Sequence, residues 1–223
     1  MVPSSLRSPP IPILTRRQVL AAPSLASLAV PEYVTASIAD RPGADRPLLL
    51  PRIGFGTCCD DGNQAAAQLK LALGLGYRLI DTAAHYPSEE VVGEVLEQAE
   101  AEGSLKRSDV TVCTKVWFDD MGYESTLASV STSLQRLRCA QIDLLLVHFP
   151  GAPDALGSPK RNQRLRADTW LACERALDDG LVRAIGVSNW TPRHLRETLG
   201  SCRVRPSVLQ TEVHPRCQQP ELL

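Results

Sequence analysis

From residue 51 onward, short apolar runs alternate with longer amphipathic stretches, and nothing else in the chain constrains its fold as strongly. The apolar runs fall at 53–57, 77–82, 110–116, 142–149, 182–187 and 207–213. Between them, apolar residues recur at helical spacing: Ala65, Ala66, Leu69, Ala72 and Leu73; then Val92, Val95, Leu96 and Ala99; then Leu127, Val130, Leu134 and Leu137. Trp170, Cys173 and Leu177 mark a fourth helix, and Thr191-Pro192 opens a fifth, an N-cap followed by Pro at the first helical position. Ser88 is placed to cap the second helix, ahead of Glu89 and Glu90 in the first turn. Residues 151–167 are polar and rich in Pro and Arg, and read as a long surface loop, with Asp168 or Thr169 capping the helix after it. Gln219-Pro220-Glu221 reads as the opening of one more helix.

Strands alternating with helices at roughly 30-residue spacing imply right-handed βαβ units and a parallel sheet. The 142–149 run is almost continuously apolar, as expected of a strand covered on both faces. Without an N-terminal G-x-G-x-x-G, two architectures fit: an open doubly wound sheet or a (β/α)8 barrel. The sequence ends at a helix start, about two βα units short of the ~250 residues of a full barrel. The expectation is therefore an α/β fold, a (β/α)8 TIM barrel with strands one to six present and the last two βα units missing. Its first and sixth strands would each lack a neighbour on one side.

The chain has 24 Lys+Arg against 25 Asp+Glu, so it carries no basic field to attract nucleic acid. No apolar run approaches the ~18 residues of a membrane span. Partners of both kinds are thus disfavoured, and a small molecule is the expected one; nothing in the sequence fixes the oligomeric state. The seven cysteines are odd in number and include no C-x-x-C pair, which favours free thiols and gives no metal-ligand spacing. Residues 1–45 stand apart from the barrel segment, 46–223. No acidic residue occurs before Glu32, whereas Arg7, Arg16 and Arg17 do, a composition that reads as a targeting or disordered segment. Within it Thr15-Arg16-Arg17-Gln18-Val19-Leu20 looks like a twin-arginine export signal; a plastid-type transit peptide is the other reading, and a cytoplasmic location holds if neither operates.

Four polar residues fall at the ends of consecutive strands. Asp81 closes the second, Lys115 is near the end of the third, His148 is near the end of the fourth, and Tyr86 follows Asp81 in the next loop. Taken singly, the Asp reads as a cap, the Lys as a side chain reaching to water, and the His as a hydrogen-bonded core residue. In a barrel, however, the carboxyl ends of the strands converge on the face that hosts active sites. An Asp and a Lys placed there together are costly unless they pair. A phenol, with a reference pKa of about 10, is a poor acid at neutral pH. An ammonium beside it favours the phenolate, and a carboxylate keeps that ammonium charged and in place. Tyr86 backed by Lys115 and Asp81 thus has the makings of a general acid, with His148 orienting a substrate oxygen. With no evident nucleophile, the cluster suits protonation of an oxygen that gains negative charge as hydride reaches a carbonyl carbon.

The motifs around these residues resemble those of aldo-keto reductases. They are Gly54-Phe55-Gly56-Thr57; Gly76-Tyr77-Arg78-Leu79-Ile80-Asp81-Thr82-Ala83 with Tyr86; Thr114-Lys115-Val116-Trp117; Asp143-Leu144 leading to Val147-His148-Phe149-Pro150; Ile185-Gly186-Val187-Ser188-Asn189; and Gln210-Thr211-Glu212-Val213-His214-Pro215. The resemblance implies NADP(H)-dependent reduction of an aldehyde or ketone to an alcohol. It implies a catalytic tetrad of Asp81, Tyr86, Lys115 and His148. Thr57, Asp81, Ser188, Asn189 and Gln210 are implied on the cofactor side, the last three at the nicotinamide carboxamide. Trp117 and His148 are implied to line the substrate pocket. Two departures stand out. The family usually has Asn where Ser88 stands, and the hairpin that plugs the barrel floor is not recognisable, because Leu48-Leu49-Leu50-Pro51 runs directly into strand one. The family's residues for the adenosine 2′-phosphate lie on a strand this sequence lacks, so NADPH rather than NADH is implied by resemblance alone. A rival expectation is a non-catalytic barrel or inactive fragment that acts as a binding or regulatory protein.

Overall fold

The structure is a computed structural model that describes residues 33–36, 48–58, 62–155 and 157–222. Its first element is an antiparallel hairpin, β1 (Tyr33–Ala36) with β2 (Leu48–Pro51), in register Tyr33↔Pro51 to Ala36↔Leu48. This is a floor hairpin of the kind the sequence did not reveal. The residues joining its strands contain no Asn-Gly or Asp-Gly at two-residue spacing, so the usual hairpin signal is missing. β1 also falls inside the stretch read as a targeting segment; the rest of 1–45, including the twin-arginine motif, lies outside the described residues.

Six parallel strands follow, joined in chain order: β3 (Phe55–Gly56), β4 (Leu79–Asp81), β5 (Thr111–Val116), β6 (Ile142–Val147), β7 (Val182–Ser188) and β8 (Leu209–Gln210). The helices between them are α1 (Gly62–Gly74), α2 (Glu89–Ala101), α3 (Tyr123–Arg136), α4 (Pro159–Asp178) and α5 (Pro192–Leu199). Sequential parallel pairing, with no strand inserted out of order, is that of an incomplete (β/α)8 barrel and excludes the doubly wound alternative.

Every residue of β5 and β6 is buried, because helices cover one face and the barrel interior the other. The outward side chains, among them Val112, Val116, Leu145, Val147 and Ile185, join the helices in the larger apolar cluster. The inward ones, Cys113, Leu144, Leu146 and Ala184, pack with Leu48, which β2 pushes up from below at 1% exposure. Each fully buried aliphatic side chain of this kind contributes about 1.5–3 kcal/mol. Gly186 faces inward in the same alternation, and a Cβ there would lie 2.6 Å from the Val208 carbonyl oxygen, so only glycine lets β7 approach the segment leading into β8.

Several boundaries differ from expectation. Residues 151–167 are not one long loop: a 3-10 turn at Pro153–Ala155 is followed by α4, whose first nine residues lie in that stretch. Pro159 at the first helical position was the available signal. It was masked because the first two turns are mostly exposed and lack an apolar stripe. Thr169 lies inside α4, where its hydroxyl accepts from Gly122 N–H at 2.9 Å. The first strand is confined to Phe55–Gly56 and the sixth to Leu209–Gln210, since only those residues have ladder partners. After β8 the chain turns at His214–Cys217, and Gln219–Leu222 forms a single turn, not a helix.

Candidate active site

The two-residue period of a strand explains why the polar residues meet. In β4 the inward phase runs from Leu79 to Asp81; in β5 from Cys113 to Lys115, and past its end to Trp117. In β6 it runs from Leu144 and Leu146 to His148, in β7 from Ala184 to Ser188, and at β8 from Val208 to Gln210. Along each strand the inward position is apolar deep in the barrel and polar at the carboxyl end. Register keeps these ends level, with Asp81 opposite Cys113, Lys115 opposite Leu146, and Ser188 opposite Gln210.

Lys115 is 2% exposed, and its ammonium is fully engaged on one side. Nζ donates to Asp81 Oδ1 at 2.7 Å and to the Thr82 carbonyl at 2.9 Å. The Tyr86 ring lies over it, with Nζ 5.5 Å from the ring centroid. Tyr86 meets His148 edge to face at 5.9 Å between centroids. His148 is buried, and desolvation, reinforced by the positive charge of Lys115, lowers its pKa from 6.5 to about 4. It is therefore neutral across the physiological range. Among the described residues its buried Nδ1 has no hydrogen-bond partner. A bare lone pair there costs less than an orphaned N–H, which assigns the proton to Nε2.

Trp117 forms a wall against His148, at 5.0 Å and 72°. Three rings not singled out from the sequence extend it. His85 stacks on Trp117 at 4.2 Å and 5°, Phe118 packs at 4.1 Å, and Phe149 meets Trp117 at 5.7 Å and stacks on His148 at 4.7 Å. The sequence signal was their position, each adjacent to Tyr86, Trp117 or His148. A planar, largely apolar group is the natural neighbour of such a wall.

On the other side, Asn189 takes φ of 60°, a left-handed conformation that Asn tolerates. Its amide Nδ2 donates to the His148 carbonyl at 3.0 Å and to Ser188 Oγ at 3.2 Å, and its backbone N–H donates to the Gln210 carbonyl at 2.9 Å. Ser188, Asn189 and Gln210 thus sit together as uncharged donors and acceptors, a set that fits a primary carboxamide such as that of nicotinamide. Beside them a cleft of about 400 Å³ is bordered by Asn189, Trp190, Thr191, Thr211 and Glu212. Thr57 is placed differently. Its hydroxyl is 2% exposed and bonded to Ser88 Oγ and the Asp81 carbonyl, behind the inward set.

The loop that carries Tyr86 is held from several directions. Ala84 N–H donates to the Lys115 carbonyl at 3.0 Å, and Arg136 donates to the Ala84 carbonyl at 2.9 Å. Glu89 is wholly buried, accepting from Thr114 Oγ1 at 2.7 Å with Arg136 3.5 Å away. Ser88 does not cap α2 as expected: it is in the right-handed helical region and makes no side-chain bond to the helix N-terminus.

The chain is similar to known proteins over most of its length. A model described as Aldo/keto reductase family matches residues 52–223. Glyoxal reductase of Bacillus subtilis is 41% identical over 174 residues, covering 78% of this chain and 58% of its own length. The 9,11-endoperoxide prostaglandin H2 reductase of Trypanosoma cruzi is 41% identical over 171 residues, covering 76% of this chain and 55% of its own. Among solved structures, an aldo-keto reductase of Bombyx mori in complex with NADP superposes with a TM-score of 0.69 at 33% identity, over 78% of this chain and 58% of that one. An aldo/keto reductase from Brucella melitensis gives 0.68 at 36% identity, over 78% and 63%. The chain therefore spans roughly three fifths of the length of these relatives. It belongs to the aldo/keto reductase family.

Proposed function

We propose that the protein reduces an aldehyde or ketone to an alcohol with NADP(H), Tyr86 acting as general acid. The observation that carries this reading is the placement of the Tyr86 ring over the Lys115 ammonium, which Asp81 holds at 2.7 Å. Relatives support it: the similar proteins include a glyoxal reductase and a glycerol 2-dehydrogenase that uses NADP(+). When bound, the nicotinamide supplies hydride to the carbonyl carbon.

The chain's own residues account for the rest. Ser188, Asn189 and Gln210 hold the carboxamide and so orient the ring. Neutral His148 donates from Nε2 to the substrate oxygen. As negative charge grows on that oxygen, Tyr86 delivers its phenolic proton, and the Lys115–Asp81 pair stabilises the phenolate left behind. Trp117, His85 and Phe149 exclude water from one side of the substrate.

The test is consumption of NADPH by the chain in the presence of an aldehyde, compared with Tyr86→Phe. Removing a general acid lowers turnover by about 10²–10⁴-fold, while NADPH binding, read by fluorescence quenching, stays within about twofold. Turnover of the variant within tenfold of the parent removes Tyr86 from the role.

A further inference from the structure

We propose that Ser88 is a positioning residue for Tyr86: its hydroxyl completes a buried chain of three hydroxyls that fastens both ends of the Tyr86 loop to the base of the site. This inference rests on the reductase reading and adds a residue to it. Ser88 is 1% exposed and spends nothing on the helix it precedes. Its Oγ lies 2.8 Å from Thr57 Oγ1 and 3.1 Å from Thr82 Oγ1. Thr57 and Thr82 are likewise buried, at 2% and 0% exposure.

Counting protons fixes the direction of the chain, because a hydroxyl has one to give. Thr57 gives its own to the Asp81 carbonyl, at 3.2 Å. The proton between Thr57 and Ser88 must then come from Ser88. That leaves Ser88 only an acceptor toward Thr82, so Thr82 donates. The order is Thr82 to Ser88 to Thr57 to the Asp81 carbonyl, a ring closed through the Asp81–Thr82 peptide. Each bond polarises the next.

The ring closes on the Asp81–Thr82 segment that Lys115 also holds, through the Asp81 carboxylate and the Thr82 carbonyl. Thr82 and Ser88 flank the loop 83–87, and their hydroxyl contact brings its ends together with Tyr86 between them. Arg136 and the Lys115 carbonyl hold Ala84 in the middle of the same loop. The hydroxyl ring is thus the tie nearest Tyr86 on its carboxyl side. Losing it shifts the phenol without removing any group that touches substrate.

Two variants of the full chain test this from opposite ends: Ser88→Ala, which breaks the ring in the middle, and the isosteric Thr82→Val, which removes its first donor. Both should lower kcat by about tenfold to a hundredfold, the cost of a misplacement on the ångström scale, with KM for aldehyde and NADPH affinity within about threefold. Hydrogen exchange should quicken by about tenfold at the Ala84 and Tyr86 amides, with β6 and α3 unchanged. Equal exchange in the 82–88 segment overturns the fastening. Quicker exchange with kcat unchanged overturns the positioning role. A parent chain without aldehyde reduction sinks the reductase reading instead, and the fastening then stands or falls on exchange alone.

Discussion

His148 illustrates how a single side chain carries both stability and chemistry. Its pKa is lowered from 6.5 to about 4, first by desolvation and then by Lys115. Between those values the unfolded chain binds a proton that the folded chain does not. The sign follows: stability is complete above about pH 6.5 and falls as pH drops toward 4, by roughly 3 kcal/mol over the whole interval. His148→Gln should therefore show a smaller loss of urea midpoint between about pH 7.5 and pH 5 than the parent. Equal losses in the two proteins would mean that His148 titrates normally. The same neutrality predicts a kcat/KM profile to which His148 contributes no break near pH 6.5.

At the scale of elements, α4, α5 and β8 are joined by buried charges rather than by apolar contacts alone. Arg166, 3% exposed, donates to the Pro150 carbonyl at 2.7 Å and pairs with Glu197 of α5. Glu174, 4% exposed, accepts the backbone N–H groups of Arg203 and Val204, both at 2.7 Å, and so directs the chain from α5 toward β8. Glu174→Ala strands both donors and should cost about 2–4 kcal/mol, whereas Glu174→Gln keeps an acceptor and should cost about half as much. The expected fall in Tm for the alanine variant is on the order of 5–10 °C. A fall no larger than that of the glutamine variant would mean that water replaces the carboxylate. The early start of α4, at Pro159, is illegible in the sequence for a related reason. Its first turns are anchored by Arg166 and by Asn162, which accepts from Ala152 N–H at 3.0 Å, and polar anchoring leaves no periodic apolar stripe to read.

For the whole molecule the decisive feature is an open sheet. Among the described residues β3 pairs only with β4, and β8 only with β7. Exposed apolar side chains include Ile53 at 67%, two residues before β3, Leu71 on α1 and Leu75 just after it at 64% and 57%, and Val213 at 51%, three residues past β8. Unpaired strand edges flanked by apolar surface favour association. The chain should therefore elute in size-exclusion chromatography as a species whose size grows with concentration. A monomer at every concentration, with cooperative unfolding, would show that six strands close enough surface to stand alone.

The sequence by itself determined the parallel βα order and the places of Asp81, Lys115 and His148 at strand carboxyl ends, and hence their meeting at one face. These follow from local pattern: apolar runs mark the strands, and right-handed crossovers fix which ends align. The motif order likewise carried the family, because each motif is contiguous in the chain. Only the tertiary structure decided the partners of groups distant in sequence. The floor hairpin depends on a pairing between segments with no turn signature, and Leu48 is a plug only because Cys113, Leu144 and Ala184 face it. The stacking of His85 on Trp117 and the lowered pKa of His148 are also products of packing. Ser88 makes the point most sharply. Read locally it is a helix cap; folded, its hydroxyl faces Thr57 and Thr82, because a short polar side chain bonds whichever partner the fold buries beside it.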